Sequence, residues 1–130
     1  MRVTPMQTED TIQIFIAAIN NQNVEQIVEL CTEDHRFIDA HGGVVTRDAL
    51  RQAWTAYFAF MPIYRIETEA IISRDGMAAV FGWASGGLHA SSPDRRVWRR
   101  PCAWRADIAN GRVALWQVYV DTKAVFDLLQ

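Results

Sequence analysis

The residues best suited to acid–base chemistry lie close together at positions 35–41. His35, Asp39 and His41 share one face of a predicted strand, because alternate strand residues point the same way. A carboxylate in an apolar cleft has a raised pKa, since desolvation disfavours its charged form. A raised pKa suits a general base that removes a proton from carbon. His41 would shuttle the proton. The alternative, left open by the residues alone, is that Asp39 caps the turn at Gly42 or pairs with an arginine.

A metal site built from His35, Asp39 and His41 is disfavoured. Side chains two residues apart on a strand are roughly 6.5 Å apart, too far to converge on one ion without a bend. The two cysteines, Cys31 and Cys102, do not form a metal-type pair. We therefore expect no metal and no cofactor.

Four predicted helices, the last of them after Asp121, and a set of strands must position these residues. The expected helix caps are Thr8, Asn23 and Thr46, and Pro62 ends the third helix. That third helix has a wide aromatic face at helical spacing. Its members are Leu50, Ala53, Trp54, Tyr57, Phe58 and Met61.

The pattern of the second half of the chain predicts a β-meander. A short strand at 35–40 precedes the third helix, and long strands follow at 64–74, 77–89, 96–108 and 112–120, with Asp75-Gly76 as a hairpin turn. Strands this long must coil, and Gly82 and Gly86-Gly87 are plausible bend points. We therefore predict an α+β fold. Its strongly curved antiparallel sheet, of four long strands and a short one, wraps around the N-terminal helices and forms a cone-shaped pocket.

Length and composition indicate one domain spanning residues 1–130. The chain is half hydrophobic, with a formal charge of −2, which does not favour a nucleic-acid partner. The arginines at 95, 96, 99, 100 and 105 are best interpreted as a solvated strand face. No signal peptide or membrane helix is recognisable, so a cytoplasmic protein with free thiols is expected.

The order of elements resembles the nuclear transport factor 2-like fold, and specifically its SnoaL-like and ketosteroid-isomerase-like branch. The matching segments are FIAAIN at 15–20, FIDAHG at 37–42 with TRDALR at 46–51, and GRV to VYVD across 111–121. The resemblance covers nearly the whole chain. It is specific for the fold more than for activity, because this fold hosts enzymes, carriers and assembly domains.

The resemblance implies that Asp39 stands at the position of the isomerase general base. The two oxyanion donors of that branch are missing, since their positions fall at Phe15 and near Ala103 or Trp104. Steroid isomerase activity is therefore not expected, although the base position is filled. Asp121 resembles a residue that recurs near the end of these sequences, and helix capping explains it without catalysis.

The resemblance also implies which strand faces point inward. His89 would then be an acid partner to Asp39, unless it is a solvated loop residue. If Arg100 points inward, it would pair with Asp39 or with a substrate anion, because a buried unpaired guanidinium is costly. The alternative is that a bulge at Pro101 turns Arg100 outward. The expected ligand-binding residues, each also interpretable as plain core, are Phe15, Trp54, Tyr57, Phe58, Phe81, Trp83, Trp98, Trp104, Trp116 and Val118.

Three functions fit these residues. The first is a cofactor-free isomerase, cyclase or dehydratase that uses Asp39 on a small hydrophobic molecule. The second is a non-catalytic carrier or sensor of such a ligand, and the third is an interaction domain. A homodimer through the outer sheet face is also expected, with Val80, Leu88, Val97, Leu115 and Tyr119 as its apolar members.

Overall fold

A computed structural model describes residues 5–88 and 97–127. In chain order the elements are α1 (Pro5–Asn20), α2 (Val24–Glu29), β1 (Cys31–Ile38), β2 (Val44–Thr46), α3 (Arg47–Phe60), β3 (Arg65–Arg74), β4 (Met77–Gly87), β5 (Val97–Ala109), β6 (Arg112–Tyr119) and α4 (Lys123–Asp127). The predicted α+β class is confirmed. The short strand β2 is an addition to the expected set.

The strands form one curved, unclosed sheet in the order β2-β1-β6-β5-β4-β3. Strands β3 to β6 are an antiparallel meander, as predicted. Strand β1 lies parallel to β6, so the sheet is mixed rather than purely antiparallel. Asp75 and Gly76 both have positive φ, 53° and 81°, which matches the predicted hairpin and suits the twist of the flanking strands.

The helix caps agree with the sequence in part. The side chain of Asn23 accepts a hydrogen bond from the Gln26 N–H at 3.2 Å and caps α2 as predicted. Thr8 is not a cap, because α1 already includes Pro5 and buries Thr8. Thr46 precedes α3, but its hydroxyl bonds the Asp48 carboxylate instead of a helix N–H.

The two central strands differ in how well their faces were predicted. On β5 the predicted inner residues Trp98, Cys102 and Trp104 are buried. On β4 the phase is the opposite of the predicted one: Ala78, Val80 and Ala84 are buried, and the alternate positions lie on the outer face. Leu115, expected outside, is buried as well.

Cross-strand register explains the phase of β4. Gly86 pairs with Trp98, and a Cβ on Gly86 would meet the Trp98 ring at 2.9 Å. Val80 pairs with Trp104 in the same way. Small and medium side chains on the inner face of β4 therefore make room for the indoles of β5, while the bulky Phe81 and Trp83 point outward.

A β-bulge interrupts β3 between Thr68 and Ala70, opposite Gly82. A Cβ on Gly82 would lie 1.9 Å from the Glu67 carbonyl oxygen. Only glycine allows the two backbones to approach this closely. None of the helices in the described part of the chain is long and apolar enough to cross a membrane.

Candidate functional site

A cavity of about 360 Å³ lies between α3 and the inner face of β4, β5 and β6. Its lining is mostly apolar, with a few polar side chains, which is the usual composition of a small-molecule site. The lining residues are Phe37, Asp39, Ala40, His41, Leu50, Ala53, Trp54, Tyr57, Phe60, Met61, Tyr64, Ala84, Trp98, Cys102, Trp116, Val118, Val120, Thr122 and Val125.

Aromatic rings in mutual contact form one wall of this cavity. Trp54 of α3 packs edge-on against Phe37 at 5.4 Å and against Tyr57 at 6.3 Å between ring centroids. Tyr57 in turn meets Tyr64 edge-on at 5.0 Å, and Tyr64 lies 6.1 Å from Trp98. Edge-to-face pairs of this kind hold each ring in a defined orientation. The wall is therefore a continuous set of packed rings.

Five of the ten expected ligand-binding residues line the cavity: Trp54, Tyr57, Trp98, Trp116 and Val118. Three others belong to the core behind it. Phe15 packs on Trp116 at 5.0 Å, Trp104 stacks on Trp116 at 6.1 Å, and Phe58 packs behind Trp54 at 5.3 Å.

The remaining two, Phe81 and Trp83, were wrongly expected in the pocket. Both lie on the outer face of β4, because that face takes the bulky residues of the strand. The Arg99 guanidinium carbon lies 4.0 Å from the centroid of the Trp83 ring. The Trp83 indole N–H donates a 2.7 Å hydrogen bond to the Glu69 carboxylate. These two aromatic residues are thus outside the cavity.

Asp39 lies at the exposed end of the cavity and shapes a turn. Its Oδ1 accepts hydrogen bonds from the backbone N–H groups of His41 at 2.8 Å and Gly43 at 3.0 Å. Its backbone also bonds Gly42 and Gly43. The carboxylate is exposed rather than desolvated. The capping alternative therefore describes the observed contacts of Asp39.

Replacing Asp39 should reveal how much this turn depends on the carboxylate. Asp39→Ala removes both acceptor contacts and should lower the free energy of unfolding by about 1–2 kcal/mol. Asp39→Asn keeps an acceptor oxygen but loses its charge, so a smaller loss is expected. Urea unfolding at pH 7 measures both. A gain of stability in Asp39→Asn would instead indicate an unfavourably buried charge and support a general base.

Of the other expected catalytic residues, Arg100 forms no ion pair with Asp39, and His41 contacts Asp39 through its backbone N–H. The Arg100 guanidinium faces Asp121, with 3.8 Å between Nη2 and Oδ2, and is about half exposed. His41 Nε2 lies 3.3 Å from the Thr122 hydroxyl. His89 is outside the described residues. Asp121 also accepts the Lys123 N–H at 3.0 Å, as expected for a residue that precedes α4 and caps its first turn.

His35 is part of the core and not of the cavity lining. Its Nδ1 donates to the Val113 carbonyl at 2.7 Å, and burial lowers its pKa. Neutral imidazole is thus the favoured form. Within residues 5–88 and 97–127, no cluster of three or more His, Cys, Asp or Glu side chains is arranged to hold a metal ion.

Three weak acids lie on the deeper part of the cavity wall. Burial, and then the nearby Cys102 thiol, raises the pKa of Tyr57. Burial raises the pKa of Tyr64 well above its usual value, and neighbouring Tyr57 and Cys102 act in the same direction. Burial also raises the pKa of Cys102 to about 12. All three therefore remain protonated at neutral pH.

Sequence reasoning missed three lining aromatics, Phe37, Phe60 and Tyr64. Phe37 lies between His35 and Asp39 on the same predicted strand face, so the period-two pattern already indicated it. Tyr64 directly follows the Pro62 turn, where its side chain can close the space between α3 and β5. An aromatic residue at this junction between a helix and a strand is the sequence signal that could have indicated Tyr64.

The chain matches the family model of the SnoaL-like domain over residues 12–116. Among solved structures, it is similar to a hypothetical protein with a ketosteroid isomerase-like fold from Catenulispora acidiphila DSM 44928, in complex with trimethylamine. The two share 16% identity with a TM-score of 0.80, covering 97% of this chain and 93% of that one. None of the curated proteins matches the sequence significantly.

Two candidate polyketide cyclases have similar structures. The SnoaL-like one from Jannaschia sp. CCS1 shares 15% identity with a TM-score of 0.81, over 98% of this chain and 96% of that one. The one from Streptomyces antibioticus shares 19% identity with a TM-score of 0.78, over 95% and 98%. At such identities the likeness shows the fold alone.

Proposed function

Because the chain belongs to the SnoaL-like domain family, we propose that it binds a small hydrophobic molecule in the cavity between α3 and the sheet. One observation supports this proposal above all: an apolar, aromatic-lined space of about 360 Å³ in a chain of 130 residues. Protein interiors are close-packed, so an apolar space of this size is typical of a small-molecule site. The packed aromatic wall is suited to a flat ligand.

Blocking the cavity tests the proposal. Ala53→Trp on α3 places an indole in the lining, whereas Ala56→Trp places one on the exposed face of the same helix. The neutral fluorophore N-phenyl-1-naphthylamine should bind the wild type and Ala56→Trp equally. Its affinity for Ala53→Trp should fall at least about 10-fold, or 1.4 kcal/mol. Equal binding to all three proteins would mean that the probe sits elsewhere and would contradict the proposal.

A cofactor-free isomerase, cyclase or dehydratase is the second candidate. It is favoured by the carboxylate of Asp39 on the cavity wall, where Oδ1 accepts the two backbone N–H groups and Oδ2 remains for a substrate proton. The named polyketide cyclases with this fold are consistent with such chemistry. If Asp39 is the base, Asp39→Asn should bind ligand normally and lose roughly 10²–10⁴ in rate.

We also propose a homodimer through the outer sheet face. Large apolar side chains are exposed there, including Ile72 at 64%, Val97 at 55%, Tyr119 at 51% and Phe81 at 44%. Sedimentation equilibrium should then give about twice the 14.8 kDa chain mass. Phe81→Arg should shift the equilibrium toward the monomer. A monomer mass across micromolar concentrations of the wild type would contradict the dimer.

A further inference from the structure

His35 is a buried ionisable side chain to which the proposed function gives no role. It is 1% exposed, and Phe15 of α1 lies over it with 6.5 Å between the two ring centroids. Its Nδ1 donates to the Val113 carbonyl at 2.7 Å, so the neutral ring carries its proton on Nδ1. The other nitrogen, Nε2, has no hydrogen-bond partner among the residues that the structure describes. The neutral ring therefore leaves one acceptor nitrogen unpaired in the core.

The hydrogen bond of the imidazole lies where β1 and β6 lose their register. Cys31 pairs with Val113, and the pairing resumes only with Arg36 opposite Leu115, so four residues of β1 face one residue of β6. Val113 bridges this irregularity, because its N–H donates to the Leu30 carbonyl at 2.8 Å and its carbonyl accepts from the imidazole. Among the described strands, β1 and β2 join the rest of the sheet only through β6. The imidazole therefore supports the one strand pair that attaches β1 and β2.

A second proton on the ring would place a charged N–H donor in this apolar surrounding. Burial, the largest influence, lowers the pKa of His35, and the hydrogen bond to Val113 raises it in part. The charged groups that act on the ring are Arg47 of α3, which opposes protonation, and the exposed Asp34 of β1, which favours it. Phe15 of α1 carries no charge. Since an unpaired buried charge is costly, the imidazolium is accommodated only if the ring leaves the core.

We propose that His35 is an acid-sensitive latch: when its ring takes up a second proton, β1 separates from β6 and the cavity releases its ligand. Phe37 and Asp39 follow His35 along the chain and line the cavity, so movement of β1 removes part of the cavity wall. The latch itself stands on the sheet geometry, whereas ligand release rests on the proposed function. Histidine is the side chain that ordinarily changes charge between pH 5 and 8, which sets the range of the response.

Urea unfolding between pH 7.5 and 5.0 tests the latch in the wild type and two variants. His35→Asn places an amide NH₂ near the position of Nδ1, His35→Phe keeps the ring volume, and neither side chain titrates. A lowered folded pKa means that below about pH 6.5 the unfolded chain binds a proton that the folded chain does not, so stability is complete above that pH and falls below it. The unfolding equilibrium constant should therefore rise by up to about 30-fold more in the wild type than in either variant.

His41→Asn is the matched control, because it removes an exposed histidine. It should keep the pH dependence of the wild type. The same pH dependence in the wild type and in both His35 variants would overturn the inference.

Hydrogen exchange shows whether the opening is local. After correction for the intrinsic exchange rate at each pH, amide protection in β1 and β6 of the wild type should fall roughly 3- to 10-fold between pH 7.5 and 5.5, while β3 and β4 keep theirs. His35→Asn should show no such difference between strands. An equal loss of protection in all strands would mean global unfolding and would contradict a latch between β1 and β6.

Ligand release is measured with N-phenyl-1-naphthylamine, which stays neutral over this range. Its affinity should fall roughly 3- to 10-fold from pH 7.5 to 5.5 in the wild type and stay constant in His35→Asn. If the fluorophore binds at pH 7.5 with an affinity that does not depend on pH, the inference is wrong and the proposed function stands. If it does not bind at pH 7.5, the proposed function fails, and hydrogen exchange alone then decides whether β1 opens in acid.

Discussion

Trp104→Ala is expected to destabilise the protein by about 3–5 kcal/mol, the usual cost of removing a buried Trp side chain. Trp104 is 1% exposed and stacks on Trp116, with ring centroids 6.1 Å apart. Its strand neighbours Val80 and Val118 hold it from both sides. The cavity left by the substitution cannot collapse easily, because the sheet fixes all three strands. Urea unfolding measures the loss.

Trp83→Ala is the matched control on the adjacent strand. Trp83 lies on the outer face, where it contacts the exposed Arg99 and donates to Glu69. Loss of these solvent-exposed contacts should lower the free energy of unfolding by about 1 kcal/mol. If the two substitutions cost the same, or Trp104→Ala costs less than about 1 kcal/mol, the assigned faces of β4 and β5 are incorrect.

Gly82→Ala should destabilise by roughly 3 kcal/mol or more, which is large for the addition of one methyl group. The new Cβ would lie 1.9 Å from the Glu67 carbonyl oxygen and 3.0 Å from the Thr68 Cα. Both obstacles are backbone, so no side-chain rotation relieves the clash. Strands β3 and β4 would have to separate and lose hydrogen bonds around the bulge. Chemical denaturation and the thermal midpoint should both report the change.

Gly42→Ala separates this steric cost from the cost of backbone conformation. Gly42 has a φ of +87°, but a Cβ there would meet nothing within 4 Å. Only the left-handed conformation penalises the substitution, at about 1–2 kcal/mol. A Gly82→Ala variant as stable as Gly42→Ala would mean that the bulge adjusts freely.

The contrast between β5 and β4 shows which physical information a strand pattern contains. On β5 the large apolar residues Trp98 and Trp104 alternate with Arg99 and Arg105, so polarity indicates the buried face even though Arg100 shares the parity of the two tryptophans. On β4 both faces are apolar, with Phe81 and Trp83 on one and Ala78, Val80 and Ala84 on the other. Burial there is decided by which face leaves space for the neighbouring strand, and that depends on three-dimensional packing.

Asp39 illustrates a different limit. Sequence position correctly located it at the end of β1 beside the third helix, and the cavity includes it. The role of the Asp39 carboxylate is set by the hydrogen bonds that it accepts from His41 and Gly43, and these form only in the geometry of the turn. Arg100 is similar, because its partner Asp121 lies 21 positions later and becomes adjacent only through the sheet. Long-range pairings of this kind are not encoded in local spacing.

The parallel pairing of β1 with β6 has a consequence for how the chain reaches its native state during synthesis. Arg36 pairs with Leu115, so 79 residues must be added before β1 meets its partner. At ribosomal rates of about 5–20 residues per second, that delay is roughly 4–16 s. The β3–β6 hairpins form from local contacts, whereas closure of β1 requires a long loop and should be the slow step. A chain stopped before Arg112 would leave the backbone N–H and C=O groups on one edge of β1 without their partner strand, which makes such a fragment prone to aggregation.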